Sequence, residues 1–330
     1  MNLIRNTLMG FLALLSTPPV VGADTASTRS GQAWPGKPIR MILAVPAGAT
    51  PDVTARLVMP GLSQLLGQPL VVDNRGGAGG LIGAELAAKA APDGYTLFIS
   101  SPGALTILPH LRKVSYDTLT DFSPVSLISV GPFVLITHSS VPAKTVKELI
   151  ALARAQPGKL NYASAGNGVA NHLAMELFKQ MAGVDIVHVP YKGAPQAVTD
   201  VLAGHMNMMF NSIAPIVAHI RAGRVQVLGI SSSKRSSQMP DVPTISEAGV
   251  PGYEAENWFG LFAPARTPQR IVARLNEAVV KIVRSPEIQA QFTALGADAV
   301  GNSPEEFAAF VRRDMERYAR VVRLSGAKLD

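Results

Sequence analysis

The chain has 330 residues, enough for two compact domains at about 150 residues each. Hydrophobic residues make up 47% and charged ones 16%, which excludes a disordered chain, and the absence of cysteine excludes disulfides, thiolate zinc sites, iron–sulfur clusters, cysteine nucleophiles and a lipid-modified cysteine. The net charge of +7 is scattered: its densest stretch, Arg312 to Arg323, is broken by Asp314 and Glu316 at helical spacing and reads as a solvated helix face, so no nucleic-acid partner is expected.

Taken in chain order, the first element is a targeting segment. Arg5, the apolar run Leu8 to Leu15, two prolines and the small residues Val21-Gly22-Ala23 follow the order of a secretory signal cut near Ala23. The run is too short to span a bilayer, and no later run of about 18 apolar residues follows. The expected product is exported to the periplasm and soluble, with residues 24–36 as a flexible leader.

From Ile39 onward, short runs rich in Val, Ile and Leu alternate with helical patterns, the signature of an α/β fold. The predicted strands are Ile39–Val45, Leu70–Asp73, Tyr95–Ser100, Phe133–His138, Leu160–Ser164, Ile186–Val189, Met206–Phe210, Val225–Ser231 and Trp258–Ala263. Nine strands are too many for one small sheet. Helix starts are announced by Thr50-Pro51-Asp52, Ser285-Pro286-Glu287 and Ser303-Pro304-Glu305-Glu306, each an N-cap, a proline and an acid, and by the capping box Thr145 to Glu148. Apolar residues from Phe307 to Val322 recur every three or four positions, which predicts a long terminal helix. Ser129–Pro132 and Ser231–Pro251 read as two connectors, and a chain that crosses twice between lobes makes a hinge. The expected lobes are residues 37–132 plus 253–330, and residues 133–252.

Four predicted strands run into loops of glycine and small residues that open helices. These are Val45 to Asp52, Asp73 to Gly80, Tyr162 to Gly168 and Tyr191 to Pro195. Open α/β sheets bind ligands beyond the carboxyl ends of their strands, where helix amino-ends aim free N–H groups and positive dipole ends. Four such loops point to an anion site; one alone would be a tight turn.

Enzyme chemistry finds little support. The nearest dinucleotide fingerprint, Ala78 to Gly83, has alanine where the turn is tightest, there is no Walker loop, and a nucleophile elbow at Ser164 would need glycine at Tyr162. The six histidines show no metal-ligand spacing, so neither metal nor cofactor is expected. His172, one turn into the helix after the Ser164–Gly168 loop, either orients a ligand or caps the loop. Lys192 reads mainly as a solvated turn lysine, Asn211 and Ser212 as ligand contacts at a strand end, and Trp258 and Phe259 mainly as core.

The ordered set Pro46 to Asp52, Asn74 to Gly80, Pro92-Asp93-Gly94-Tyr95-Thr96-Leu97, Tyr162 to Gly168, Pro190-Tyr191-Lys192-Gly193, Asp241-Val242-Pro243-Thr244 and Pro251-Gly252-Tyr253-Glu254 resembles the Bug family. These are the TctC-like extracytoplasmic solute receptors of tripartite tricarboxylate transporters. The resemblance implies a type II periplasmic binding protein fold, two α/β lobes joined by a hinge over a small organic anion, without catalysis. It implies ligand contacts at Gly48, Ala49, Thr50 and Asp52, at Ala78, Gly79 and Ser101, at Ser164, Ala165, Gly166, Asn167 and Gly168, and at Tyr191 and Asn211. His172 joins them as a candidate. Two departures stand out: Ala47-Gly48-Ala49 carries one glycine where the family often has two adjacent, and Asn211 stands where relatives often have aspartate.

The expectation is therefore a monomeric periplasmic receptor that captures a small carboxylate-type solute and passes it to permease subunits of such a transporter. The alternatives are an exported hydrolase using Ser164 and His172, and a receptor feeding a signalling partner.

Overall fold

The computed structural model describes residues 34–325. The expected signal peptide and the leader up to Ala33 lie outside the described residues. Trp34 to Gly36 are held to the body: the Trp34 ring packs against Tyr95, and Gly36 N–H donates to the Tyr95 hydroxyl at 2.9 Å.

Three strands open the fold, β1 (Ile39–Leu43), β2 (Leu70–Asn74) and β3 (Thr96–Ser100), with β1 parallel to both others. The helices α1 (Thr50–Leu66) and α2 (Leu81–Ala88) form the crossovers. After the short α3 (Leu108–Leu111) comes β4 (Phe122–His138), the longest strand at 17 residues. Then follow α4 (Val146–Ala155), β5 (Asn161–Ser164), α5 (Ala170–Ala182), β6 (Val187–Pro190), α6 (Ala194–Leu202), β7 (Met208–Ser212), α7 (Val217–Arg221) and β8 (Val225–Ile230). The chain ends with β9 (Glu256–Pro264), α8 (Gln269–Val283), α9 (Pro286–Ala294), β10 (Asp298–Ala299) and α10 (Pro304–Ser325).

The nine predicted strands are all present, yet they do not separate into independent sheets. A single hydrogen-bonded path runs β2-β1-β3-β9-β4-β7-β5-β6, with β8 and β10 also paired to β4. β4 makes this continuity. Its first part, Phe122–Pro132, pairs antiparallel with β9, and its second, Phe133–His138, with β7 and β8. Ser129–Pro132, expected as a loose connector, is thus strand: Ser129 faces Phe259, Gly131 faces Asn257 and Pro132 faces Glu256. The register slips between Pro124 and Ser126 and between Leu127 and Ser129. Prolines and serines hid the hydrophobic alternation of this segment from the sequence reading.

The second crossing is bound to the first by one buried side chain. Phe133 N–H donates to Ser231 Oγ at 2.7 Å, Ser231 N–H donates to Phe133 carbonyl at 2.8 Å, and Ala255 N–H donates to Ser231 carbonyl at 2.9 Å. The Ser231 hydroxyl itself donates to Ala255 carbonyl.

Hydrophobic clusters flank these crossings. Met41, Leu43, Leu97, Ile99 and Leu261 from the strands pack on Val58 and Leu62 of α1 and on Leu275 and Val279 of α8. Leu135, Tyr162, Met208 and Phe210 pack on Leu149 of α4 and on Leu173 and Phe178 of α5. Each such fully buried side chain contributes about 1.5–3 kcal/mol. α10 reaches both sides: Phe307 and Val311 join Phe98, Trp258 and Phe262, whereas Tyr318 and Val321 join the cluster around Phe178. Among the described residues no helix is long and apolar enough to cross a membrane.

Candidate ligand-binding cleft

The carboxyl ends of β1, β2, β5 and β6 open into one cleft of about 850 Å³. The N-cap residues of the four helices that follow them, Ala49 for α1, Gly80 for α2, Val169 for α5 and Gly193 for α6, all line it. None has a side-chain capping bond. Of the helices that start elsewhere, Thr145 caps α4, Ser285 caps α9 and Ser303 caps α10, whereas α3, α7 and α8 also begin uncapped. α1 begins one residue earlier than predicted, with Thr50 already helical. An uncapped amino-end leaves N–H donors that need a partner, and its dipole favours a nearby anion by about 0.3–1 kcal/mol per helix.

The loops meet face to face. A Cβ on Gly79 would lie 3.2 Å from the Asn167 carbonyl, and one on Gly103 would lie 3.7 Å from Val169 Cα. Gly76 is equally constrained, since its Cβ would fall 2.8 Å from Pro46 N. At the same turn Ala78 adopts φ +48°, a conformation that L side chains rarely take.

Of the expected contacts, Ala49, Thr50, Ala78, Gly79, Ser101, Ala165, Gly166, Asn167, Tyr191 and Asn211 line this cleft. Gly48, Asp52, Ser164, Gly168 and His172 do not; Gly48 is exposed, and the other four are buried and hydrogen-bonded within the protein. The Asp52 carboxylate accepts from Gly48 N–H at 2.9 Å, Asn74 Nδ2 at 3.1 Å and Arg56 Nε at 3.0 Å. Burial alone would raise its pKa, but these bonds and the Arg56 charge together hold it below the usual carboxylate range. Gly168 N–H donates to His172 Nδ1 at 3.1 Å, Gly166 N–H donates to Ser164 Oγ at 3.1 Å, and Ala165 N–H donates to Asn171 Oδ1 at 3.3 Å. The loop amides therefore divide, some fixing the loop and others, such as those of Thr50, Ala78, Gly79 and Asn167, left without a protein partner among the described residues. Tyr191 presents its ring, because its hydroxyl donates to Asp200. Burial and that carboxylate push the hydroxyl up to about 12.

Beside the Ser164–Gly168 loop lies a stack of three rings, Tyr162, His188 and His172, with centroids 4.7 Å and 4.1 Å apart. Burial, reinforced by the Lys179 charge, lowers His172 to about 4; burial and the His172 charge lower His188 to about 3. Both are neutral at physiological pH. Ser164 Oγ lies 2.6 Å from His188 Nε2, so the histidine beside Ser164 is His188 and not His172. Ser164 is fully buried and is not part of the cleft wall.

The sequence reading missed Arg112, Phe133, Asn171 and Asn257 on the wall and gave Phe259 mainly to the core. Arg112 ends α3, which follows the π-helical turn Gly103–Ile107, and this segment carried no readable periodicity. Arg112 and Lys192 line the cleft without an ion-pair partner among the described residues, and no Asp or Glu lines it there. Asn211 is buried and its Nδ2 has no partner; Asn257 Oδ1 is likewise buried and unpaired.

Known proteins are similar to this chain in sequence and fold. Protein BugT of Bordetella pertussis is 38% identical over 315 residues, 94% of this chain and 96% of BugT. A structure of R. palustris Rpa4515 with adipate superposes with a TM-score of 0.86 at 36% identity, covering 90% of this chain and all of that one. MatC from Rhodopseudomonas palustris with bound malate gives 0.83 at 33% identity, over 88% of this chain and all of MatC. The fold is the two-lobed type II periplasmic binding protein fold that the resemblance implied. Residues 54–326 match the family described as the tripartite tricarboxylate transporter family receptor, TctC, and the chain belongs to that family.

Proposed function

We propose that the protein is an exported periplasmic receptor that captures a small carboxylate-bearing solute between its lobes and delivers it to the permease of a tripartite tricarboxylate transporter, without catalysing a reaction. In this reading residues 37–132 plus 253–330 form one lobe and residues 133–252 the other. The observation that carries it is the convergence of four uncapped helix amino-ends on one cleft that, among the described residues, no acidic side chain lines. Free amides of Thr50, Ala78, Gly79 and Asn167 take the carboxylate oxygens, while Arg112 and Lys192 supply positive charge around them. The adipate of Rpa4515 and the malate of MatC indicate ligands of matching chemistry. The neutral, buried Ser164–His188 pair serves to hold the loop.

The test is a thermal-unfolding and small-angle scattering titration with dicarboxylates of four to six carbons, tricarboxylates and aromatic acids. A true ligand at 100 times its Kd adds about 2.7 kcal/mol to the unfolding free energy, a rise of several degrees, and narrows the scattering profile. Arg112→Gln lowers that affinity. A panel in which no carboxylate produces either effect overturns the proposal.

A further inference from the structure

The Ser164–Gly168 loop offers one backbone amide. Ala165 N–H donates to Asn171 Oδ1 at 3.3 Å, Gly166 N–H to Ser164 Oγ at 3.1 Å and Gly168 N–H to His172 Nδ1 at 3.1 Å. Of residues 165–168, only Asn167 keeps an N–H without a partner among the described residues. Each peptide unit is planar, so a bond to its N–H also fixes the carbonyl on its other side. The peptides 165–166 and 167–168 are pinned in this way, and the free Asn167 N–H belongs to the one between them. The carbonyl of the 167–168 peptide faces the opposite turn: a Cβ on Gly79 would lie 3.2 Å from it.

Two of the three acceptors, Asn171 and His172, stand in the first turn of α5 and reach back to the loop that precedes it. Asn171 lines the cleft, whereas His172 is buried and does not. Any effect of His172 on a solute therefore passes through Gly168. A backbone N–H only donates, so Nδ1 must present a lone pair and the ring must be neutral. Burial, reinforced by the Lys179 charge, lowers His172 to about 4 and keeps it an acceptor at neutral pH. The plane of the ring is set by its stack on His188 at 4.1 Å, and His188 lies on Tyr162 at 4.7 Å. Glu176 closes the cluster, accepting from the Tyr162 hydroxyl at 2.6 Å and from Lys179 Nζ at 2.7 Å.

We infer that His172 is a positioning residue for solute capture: by accepting from Gly168 N–H it orients the Asn167–Gly168 peptide and so keeps the Asn167 N–H available to a carboxylate oxygen. This inference rests on the carboxylate-receptor reading and assigns a role within it. Without the bond the buried Gly168 N–H is unmet, and the peptide turns to find another acceptor.

The ring and its acceptor can be separated by substitution. His172→Phe keeps an aromatic ring for the stack and has no acceptor, whereas His172→Asn loses the ring and keeps an acceptor oxygen at the place of Nδ1. Calorimetric titration at pH 7 with adipate, malate, citrate and benzoate identifies the carboxylate that the unaltered protein binds most tightly. For that solute His172→Phe is expected to weaken binding about tenfold and His172→Asn by less than about threefold. Melting temperatures are measured alongside, because a merely structural role would make affinity follow stability rather than the acceptor. His172→Leu replaces the phenylalanine variant if that variant does not fold. Equal losses in the two variants, or undiminished binding without the acceptor, overturn the role of His172 and leave the receptor reading standing. Failure of the unaltered protein to bind any of the four brings down both.

Discussion

The histidines beside the Ser164–Gly168 loop place a pH dependence into the fold. His172 and His188 are held neutral down to about 4 and about 3 because they are buried against each other and Tyr162. An unfolded histidine takes up a proton near pH 6.5, so between 6.5 and about 4 the unfolded chain binds protons that the folded one refuses. The unfolding free energy should therefore fall as pH drops through that window, by at most about 1.4 kcal/mol per pH unit for each histidine, and be unaffected by them above it. Urea unfolding at pH 7, 6 and 5 measures the slope. His188→Gln, which keeps a partner for Ser164, should roughly halve it; an unchanged slope would assign the effect to other groups. Asp52 works in the opposite range. Its depressed pKa adds stability at neutral pH that is lost as pH falls below the ordinary carboxylate range.

At the scale of elements, the terminal helix is fitted to one point on β9. Phe307 lies so close over Gly260 that a Cβ there would come within 2.1 Å of the Phe307 ring. The neighbouring turn of α10 is tied by Asp314, which accepts from Thr106 Oγ1 at 2.7 Å, Trp258 Nε1 at 2.7 Å and Arg317 at 2.6 Å. Backbone anchored on both sides cannot yield to the added methyl, so Gly260→Ala should cost about 1–3 kcal/mol, read as a lower urea midpoint. Phe307→Leu in the same chain should recover part of that loss; if Gly260→Ala alone is neutral, the close fit is not what seats the helix. The apolar spacing predicted α10 from sequence, but the need for glycine at position 260 is visible only once β9 lies under it.

At the scale of the whole molecule, the two halves of the sheet are joined through β4 and bound at the crossings by Ser231. Its hydroxyl and backbone meet both Phe133 and Ala255, one residue from each crossing. Ser231→Ala strands the Phe133 N–H in a buried place and should lower the unfolding free energy by about 1–3 kcal/mol. Guanidinium unfolding followed by tryptophan fluorescence checks this, because Trp258 lies two residues into the β9 segment that the clasp restrains. An unchanged midpoint would show that β4 alone holds the crossing.

Much of this was legible in one dimension. Alternating apolar runs announced the strands, and Thr145, Ser285 and Ser303 announced their helices, because those signals are local and depend on neighbours three or four residues away. The glycine loops and their order gave the family and its fold. What the sequence did not determine depends on distant partners. Ser164 pairs with His188, 24 residues away, and the Phe122–Pro132 part of β4 becomes strand because β9, more than 100 residues later, supplies its partners. Which loop amides stay free and which are consumed by Asp52, Asn171 and His172 is likewise settled by packing. Arg112 and Asn257 carry no local signal and reach the cleft only because folding brings their strand and helix ends there. Periodicity fixes what a segment becomes; only the closed tertiary contact decides which polar atoms remain unpaired, and those are the atoms left to hold a ligand.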